Sequence, residues 1–424
     1  MGSSRKLSRA EIGWILYDVA NSAYALIIIT TIMPIYYAGY VIHDMPAGTA
    51  TSDWGFANSA ASLLVAFMAP LLGAVADVKQ SKKIFLGGFI LLGVVSTAML
   101  CLTGPGMRFE AMLLFGLSLI AFAGGNIFYD SLLVDVTTKR RMNWLSGAGY
   151  AWGYIGGAAP FVICIVLFAL MKDSGTLVMK ISFIITALWW GVFSIPVLRL
   201  ARQKFRAESE NRSVADALKN LMNTFRKIKQ HRQVVIFLLA YFLYIDGVDT
   251  IIRMAIPYSK DIGLEDSMLM FTVLGLQVVA FPFALLYSYL SKRLGAKRLI
   301  FVAILVYIVV TFLAFLMPSI EDMTLKTWVF FLLAFLIASS QGGVQALSRS
   351  YYGKIIPRKQ SAEFFGFYNI FGKFAAIMGP AMIAVADRVF GHVKYGMLSL
   401  VFLFIAGGLI LIFVKEPESP LYKP

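Results

Sequence analysis

Apolar runs long enough to cross a bilayer recur along the whole of this 424-residue chain, and they leave little room for any other kind of fold. Read against the ~20 residues a membrane helix needs, they fall at roughly 11–39, 52–76, 84–103, 109–133, 146–171, 178–198, 234–257, 266–290, 299–317, 327–348, 363–387 and 395–414. Hydrocarbon offers no partner to a bare backbone, so a spanning segment of this length is helical. The expected fold class is an all-α membrane protein with twelve transmembrane helices in two pseudo-symmetric six-helix bundles. Composition agrees, with 59% hydrophobic and 14% charged residues and a mean hydropathy of +0.76.

The net charge of +15 suggests a nucleic-acid partner only until the charges are located. Most of the 38 lysines and arginines fall in alternate loops, beginning with Arg5, Lys6 and Arg9 before the first span. The opposite loops carry few, among them Arg108, Lys172, Lys180 and Lys326. This asymmetry orients both termini to the cytoplasm and excludes a nucleic-acid groove. No cleavage site precedes the first span, so no signal peptide is expected. Cys101 and Cys164 both sit inside apolar runs, which points away from disulfides and thiolate metal sites. Short loops and tails favour the plasma (inner) membrane of a bacterium over a vacuole; a monomer in the lipid bilayer is expected.

One long loop divides the spans six and six, giving expected domains at 1–198 and 234–424 joined by a cytoplasmic linker, 199–233. Within the linker Ser213 and Asp216 have the spacing of a capping box. Val214, Leu218, Leu221, Phe225 and Ile228 repeat at helical spacing opposite Lys219, Arg226, Lys227 and Lys229, an amphipathic pattern suited to an anionic membrane surface or a solvated tether. The halves echo one another. Tyr17-Asp18-Val19-Ala20-Asn21 aligns with Ile245-Asp246-Gly247-Val248-Asp249, and the loop from Gly73 through Asp77 to Lys82-Lys83 aligns with Ser288 through Lys292 to Lys297-Arg298.

The charges left inside the spans are the candidate functional residues. The seventh span carries Asp246, Asp249 and Arg253. Three mid-membrane charges cost about 8–10 kcal/mol together if they face lipid, so they are expected to face protein or water. Positions three and four apart share a helix face, which places all three on one side. Lys373 in the eleventh span wants a carboxylate, Asp246 or Asp249. Asn21, Asn126 and Gln345 are further buried polar groups, and Asp18 and Asp130 fall toward the cytoplasmic third. Such a set fits a solute site: Arg253 or Lys373 takes a carboxylate, and Asp246 or Asp249 takes an amine or a proton. Tyr17, Tyr24, Asn21, Asn126 and Gln345 complete the site. Asp246, Asp249, Asp18 and Asp130 are the candidate proton-coupling groups. In the loop after the second span, Asp77 is expected to meet the helix N-terminus near Ser361-Ala362-Glu363, where the dipole favours a carboxylate. Asp77, Lys82, Lys83 and Glu363 are therefore the candidate gating residues. Glycines at 149, 153 and 157 make a flat stripe for close helix packing. His43, His231 and His392 fall in loops or at span ends, and no nucleotide, zinc or nucleophile motif is present. Neither an enzyme nor a cofactor or metal site is expected.

The loop between spans 2 and 3 resembles the signature of the major facilitator superfamily, with Val78 and Gln80 at positions where an arginine and a glycine are usual. Trp14 to Tyr24, Tyr241 to Ile251, Gly342 to Ser350 and Glu363 to Phe374 resemble spans 1, 7, 10 and 11 of its vacuole-effluxer-like branch, which includes autophagy-related amino-acid exporters. The resemblance implies the two-bundle facilitator fold, a cavity lined by spans 1, 4, 7 and 10, and export of amino acids. Asp249 departs from it, since an uncharged polar residue is usual there. Together these readings give a secondary transporter of a small polar solute, an amino acid or peptide, coupled to H+ and working by alternating access. The alternatives are a lipid or drug facilitator, for which the 34 Phe and 19 Tyr would line the path, and a non-transporting sensor or scaffold.

Overall fold

The computed structural model describes residues 6–46, 48–207, 231–261 and 266–416. The amphipathic helix expected in the linker (213–229) lies outside the described residues. Among the described residues, twelve helices are long and apolar enough to cross a membrane. They are α1 Arg9–Val41, α2 Thr49–Lys79, α3 Lys82–Leu102, α4 Arg108–Val136, α5 Met142–Leu170, α6 Lys172–Leu200, α7 Arg232–Ala255, α8 Thr272–Leu294, α9 Ala296–Ser319, α10 Met323–Ile355, α11 Arg358–Phe390 and α12 Lys394–Ile412. Among the described residues every regular element is helical. All twelve expected spans are found, with ends shifted by a few residues.

Local chemistry sets the ends. Ser8 and Glu11 form a reciprocal capping box at the start of α1, satisfying two of the orphan donors of a helix N-terminus. Asp322 accepts from the Thr324 N–H at 2.9 Å to start α10. Between α2 and α3 the backbone turns through Gln80 at φ 54, and between α8 and α9 through Gly295 at φ 85. Both loops turn on a residue of positive φ, but Gln80 is left-handed helical (ψ 37) and Gly295 is not (ψ 149); Gln80 takes its corner at a steric cost that glycine would escape. One feature of α1 has no signal in its hydropathy: Tyr24–Ile32 and Tyr37–Val41 are π-helical. Pro34 lies between them and cannot donate to the ladder. Thr30 and Thr31 instead return their hydroxyls to Ala25 and Leu26, five residues back, at 2.9 and 2.8 Å.

The chain forms two compact units. Unit 1 comprises Met1–Thr138, Trp152–Leu218 and Pro357–Asn369; unit 2 comprises Lys139–Ala151, Lys219–Ile356 and Ile370–Pro424. In unit 1, α1 packs along α6, α4 against α2 and α3, and α3 along α6. In unit 2 the equivalent pairs recur: α7 with α12, α10 with α8 and α9, and α9 with α12. This repeated pairing is the pseudo-symmetry that the sequence echo implies. The core of unit 1 is aromatic, with Trp14 stacked on Tyr129 at 4.5 Å and Tyr24 tilted against Trp190 at 5.0 Å. Gly156 is pressed onto Val19, where an added Cβ would meet the Val19 Cα at 2.5 Å. Gly153 and Gly157 of the predicted stripe pack on Ser22 in the same way. Phe56, Phe67, Ile84, Leu170 and Phe402 are exposed, a surface suited to lipid and costly in water.

Candidate functional site

The densest charge cluster lies in unit 1, where α2 ends and α11 begins. Gly73 lets the α11 backbone approach so closely that an added Cβ would sit 2.6 Å from the Ala362 carbonyl oxygen. One turn on, the Asp77 carboxylate accepts from the Ala362 N–H at 3.2 Å and the Glu363 N–H at 2.9 Å. This is a carboxylate on a helix N-terminus, where the exposed donors and the dipole both favour it. Lys82 enters from α3. Its ammonium lies 3.2 Å from Asp77 and 2.9 Å from Asp135 of α4, and it donates to the Ser361 hydroxyl at 2.7 Å. All three charged side chains are buried. Asp77 thus meets the helix start the sequence assigned to it, Lys82 joins the same cluster, and Glu363 takes part through its backbone. Lys83 turns away and donates to the Leu198 carbonyl at the end of α6 (2.8 Å).

Unit 2 has an equivalent crossing built from different chemistry. Here the glycine is on the incoming helix: Gly147 of α5 packs on Ser288 and Ala284 of α8. Lys292, which stands where unit 1 has Asp77, is exposed. The α5 start is held instead by Arg349 of α10. Its guanidinium donates to the Ser146 hydroxyl and carbonyl at 3.0 and 3.1 Å and lies 4.4 Å from the Tyr150 ring centroid. Asn143 donates to Ser291 at 2.9 Å and accepts from Ser350 at 2.9 Å and from Lys354. Asp135, Arg349 and Asn143 escaped the sequence reading because they stand at the ends of apolar runs, where a charge needs no special explanation. The lone Asp135 within Leu132-Leu133-Val134-Asp135-Val136 was the one available signal.

Deeper in the spans, unit 1 brings several candidates together. Asn21 donates to Asn126 at 2.8 Å, Tyr129 donates to Asp18 at 2.6 Å, and Asn369 lies 3.4 Å from Asp130. Tyr17 is buried with its ring 4.6 Å from that of Tyr129. Tyr24 is buried too, its hydroxyl 2.6 Å from Ser118. In unit 2 the three charges of α7 do not share one environment. Asp246 is fully buried and accepts the Gly379 N–H of α11 at 3.1 Å and the Thr250 hydroxyl at 3.4 Å, while its second oxygen has no hydrogen-bond partner. Asp249 is half-buried and Arg253 exposed. Lys373 is half-buried within electrostatic reach of Asp249 and Arg253, and among the described residues no direct ion pair joins them. Gln345 is half-buried on α10.

Two six-helix repeats, a charge cluster where α2 meets α11 and ionisable side chains inside the spans define a secondary transporter of the major facilitator type. Solved structures share the fold. The proton:xylose symporter XylE aligns with a TM-score of 0.71 at 13% identity, covering 96% of this chain and 95% of XylE. The human organic anion transporter MFSD10 (TETRAN) aligns with a TM-score of 0.64 at 16% identity, covering 95% and 98%. The chain belongs to the vacuole effluxer Atg22-like family, whose model matches residues 134–419. The uncharacterized MFS-type transporter YxiO of Bacillus subtilis (strain 168) is 41% identical over 421 residues, 98% of this chain and 97% of YxiO. Autophagy-related protein 22-2 of Aspergillus clavatus is 28% identical over 292 residues, 64% of this chain and 46% of the fungal protein. The chain therefore spans about half the length of its fungal relatives. It is a multi-pass integral membrane protein and not an enzyme.

Proposed function

We propose that this chain moves a small polar solute, an amino acid or a short peptide, across a bacterial plasma membrane by alternating access, coupled to H+, with both termini in the cytoplasm. One observation carries the reading: Asp249, Arg253 and Lys373 stand within electrostatic reach of one another on α7 and α11, partly open and, among the described residues, not engaged in ion pairs. A bare guanidinium inside a span is tolerated only against water or a partner. Separate cationic and anionic groups suit the two ends of a zwitterion, since charge-assisted hydrogen bonds to a carboxylate are the strong ones. Asn21, Asn126, Tyr17, Tyr24 and Gln345 are the proposed polar surround. Asp246, Asp249, Asp18 and Asp130 are the proposed proton sites, and Asp77, Lys82, Lys83 and Glu363 the proposed gating group. The protein is expected to act as a monomer.

The test is flux in proteoliposomes under an imposed pH gradient, over a panel of amino acids and dipeptides. Arg253→Ala and Lys373→Ala are expected to abolish uptake of the solute that the unchanged protein carries. Asp246→Asn and Asp249→Asn are expected to remove its dependence on the gradient. Unchanged pH-driven uptake in both Asp variants ends the proton assignment. A second reading has its own observation: a largely apolar cleft of about 60 Å³ in unit 2, lined by Ile251, Ala255, Leu276, Val310, Phe330 and Leu333, which would have to widen to admit a small ligand. A lipid or drug facilitator would bind apolar compounds there and keep its flux in Arg253→Ala. A scaffold would show no ligand-induced thermal shift across either panel.

A further inference from the structure

The buried cluster of unit 1 holds two carboxylates and one ammonium, with side chains at most 1% exposed. Its formal charge does not balance, and an uncompensated buried charge is strongly destabilising. The compensation comes from oriented backbone. Asp77 has the first N–H groups of the helix at Ala362 and Glu363. Asp135 has a second pair, from the strap that leaves α6: the N–H groups of Lys204 and Phe205 point at one Asp135 oxygen at 2.8 and 3.0 Å. Successive N–H groups converging on one anion act as a fixed partial positive charge.

The strap is fastened along its length. Gln203 accepts from the Lys82 N–H at 3.2 Å and donates to the Ala76 carbonyl at 3.3 Å. Arg206 donates to the Val78 carbonyl and the Ala207 N–H to the Asp77 carbonyl, at 3.0 and 3.1 Å. Arg358, the first residue of α11, lies over the Phe205 ring at 5.2 Å. In unit 2 the chain after α12 crosses its bundle end similarly, with Tyr351 donating to the Lys415 carbonyl at 2.7 Å. There it meets the Tyr351 hydroxyl and the Lys297 ammonium in place of a buried acid.

We infer that the strap 203–207 is a positioning element for the contact between α2 and α11, acting through Asp135 and Lys82. With the strap in place, Asp135 is satisfied without the whole of Lys82, and the ammonium is shared with Asp77 and Ser361. With the strap lifted, Asp135 draws Lys82 to itself, Asp77 loses its cation, and the α11 start loses its anchor. Asp135 thus sits at the point where lifting the strap reaches the proposed gate.

The experiment is hydrogen exchange by mass spectrometry on the full chain in nanodiscs, reading the peptide 358–366. Lys204 has an exposed side chain, so Lys204→Ala keeps the N–H and is expected to exchange like the unchanged protein. Lys204→Pro removes the donor and is expected to speed exchange of that peptide about tenfold, the scale of one charge-assisted hydrogen bond. Adding Asp135→Asn removes the charge that needed compensating, and is expected to return exchange to within about twofold of the Lys204→Ala rate. Two results overturn the inference: Lys204→Pro leaves 358–366 as protected as Lys204→Ala does, or the faster exchange persists once Asp135→Asn is added. A purely structural role for the strap predicts the second of these.

Discussion

Replacing Lys82 with methionine tests the electrostatic reading of the α2–α11 contact most directly. The ammonium is fully buried, 2.9 Å from Asp135 and 3.2 Å from Asp77, and methionine keeps most of the side-chain volume while removing the charge. Deleting one partner of a buried pair costs about 3–5 kcal/mol. Each carboxylate here keeps two backbone N–H donors, which argues for the lower end, about 3 kcal/mol. Asp77→Asn alone is milder, since Lys82 keeps Asp135. In the double variant one of the two unneutralised acids is gone, so Asp77→Asn should recover about 1–2 kcal/mol of the Lys82→Met loss. Intrinsic tryptophan fluorescence in detergent reads this as a melting temperature. For a chain of this length Lys82→Met should melt roughly 3–6 °C lower, with the double variant between it and the unchanged protein. A buried pair is screened little by salt, so the difference should persist at high ionic strength. Lys82→Met melting within about 1 °C of the unchanged protein, or a double variant no better than the sum of the singles, would refute the argument.

Three further expectations rest on independent contacts. Gly73→Ala drives a Cβ to 2.6 Å from the Ala362 carbonyl, whereas Gly88 has nothing within 4 Å of its added Cβ; overpacking should cost Gly73→Ala about 1–3 kcal/mol while Gly88→Ala melts unchanged. Asp246→Asn keeps an acceptor for the Gly379 N–H and should fold within about 1 kcal/mol of the unchanged protein, but Asp246→Ala leaves a buried donor unmatched and should lose about 1–3 kcal/mol, read by the same melts. At the other end of unit 1, Arg108 grips Asp53 with two hydrogen bonds of 2.7 and 2.6 Å, and Tyr37 donates to the same carboxylate. Arg108 is about half exposed, so Arg108→Ala should lower the melt far less than Lys82→Met does, and less still as salt rises.

The spans were legible because twenty apolar residues in succession have few uses outside hydrocarbon, and because a helix is the only open structure that hides its own backbone there. The docking of Asp77 on the start of α11 was legible for a related reason: an acid at a tight turn and a helix N-terminus are complementary, and the loop's place between the second and third spans narrowed the partners. What stayed hidden depends on neighbours. Asp246, Asp249 and Arg253 do share one side of α7, yet the packing of α11 buries the first and leaves the third open. Lys82 and Lys83 read as a pair, but adjacent residues on a helix point about 100° apart, so one enters the cluster and the other caps α6. The Asp135 contact with the strap joins residues about 70 positions apart through backbone N–H groups, which no pattern of side chains announces.

The two repeats reach equivalent crossings by unlike means, and this asymmetry has energetic content. In unit 1 the α2–α11 contact is coulombic: two acids, one base and two sets of oriented N–H groups in a site closed to water. In unit 2 the α8–α5 contact is a set of hydrogen bonds around Asn143 and Ser146, with Arg349 lying against an aromatic face. The guanidinium keeps its charge in any state and is weakly hydrated, so it can leave Ser146 and stay on the Tyr150 ring without a large solvation penalty. The acids of unit 1 have no such intermediate. Once Lys82 is displaced they must be reached by water or by a proton, because two bare carboxylates do not persist in a low-dielectric pocket. If both contacts open during the proposed alternating access, their costs are unequal, and the step that admits water to Asp77 and Asp135 is the steeper one. This is why a strap that supplies two N–H groups to Asp135 is placed where it can alter the height of that step, while the corresponding tail in unit 2, bonded to Tyr351, is not.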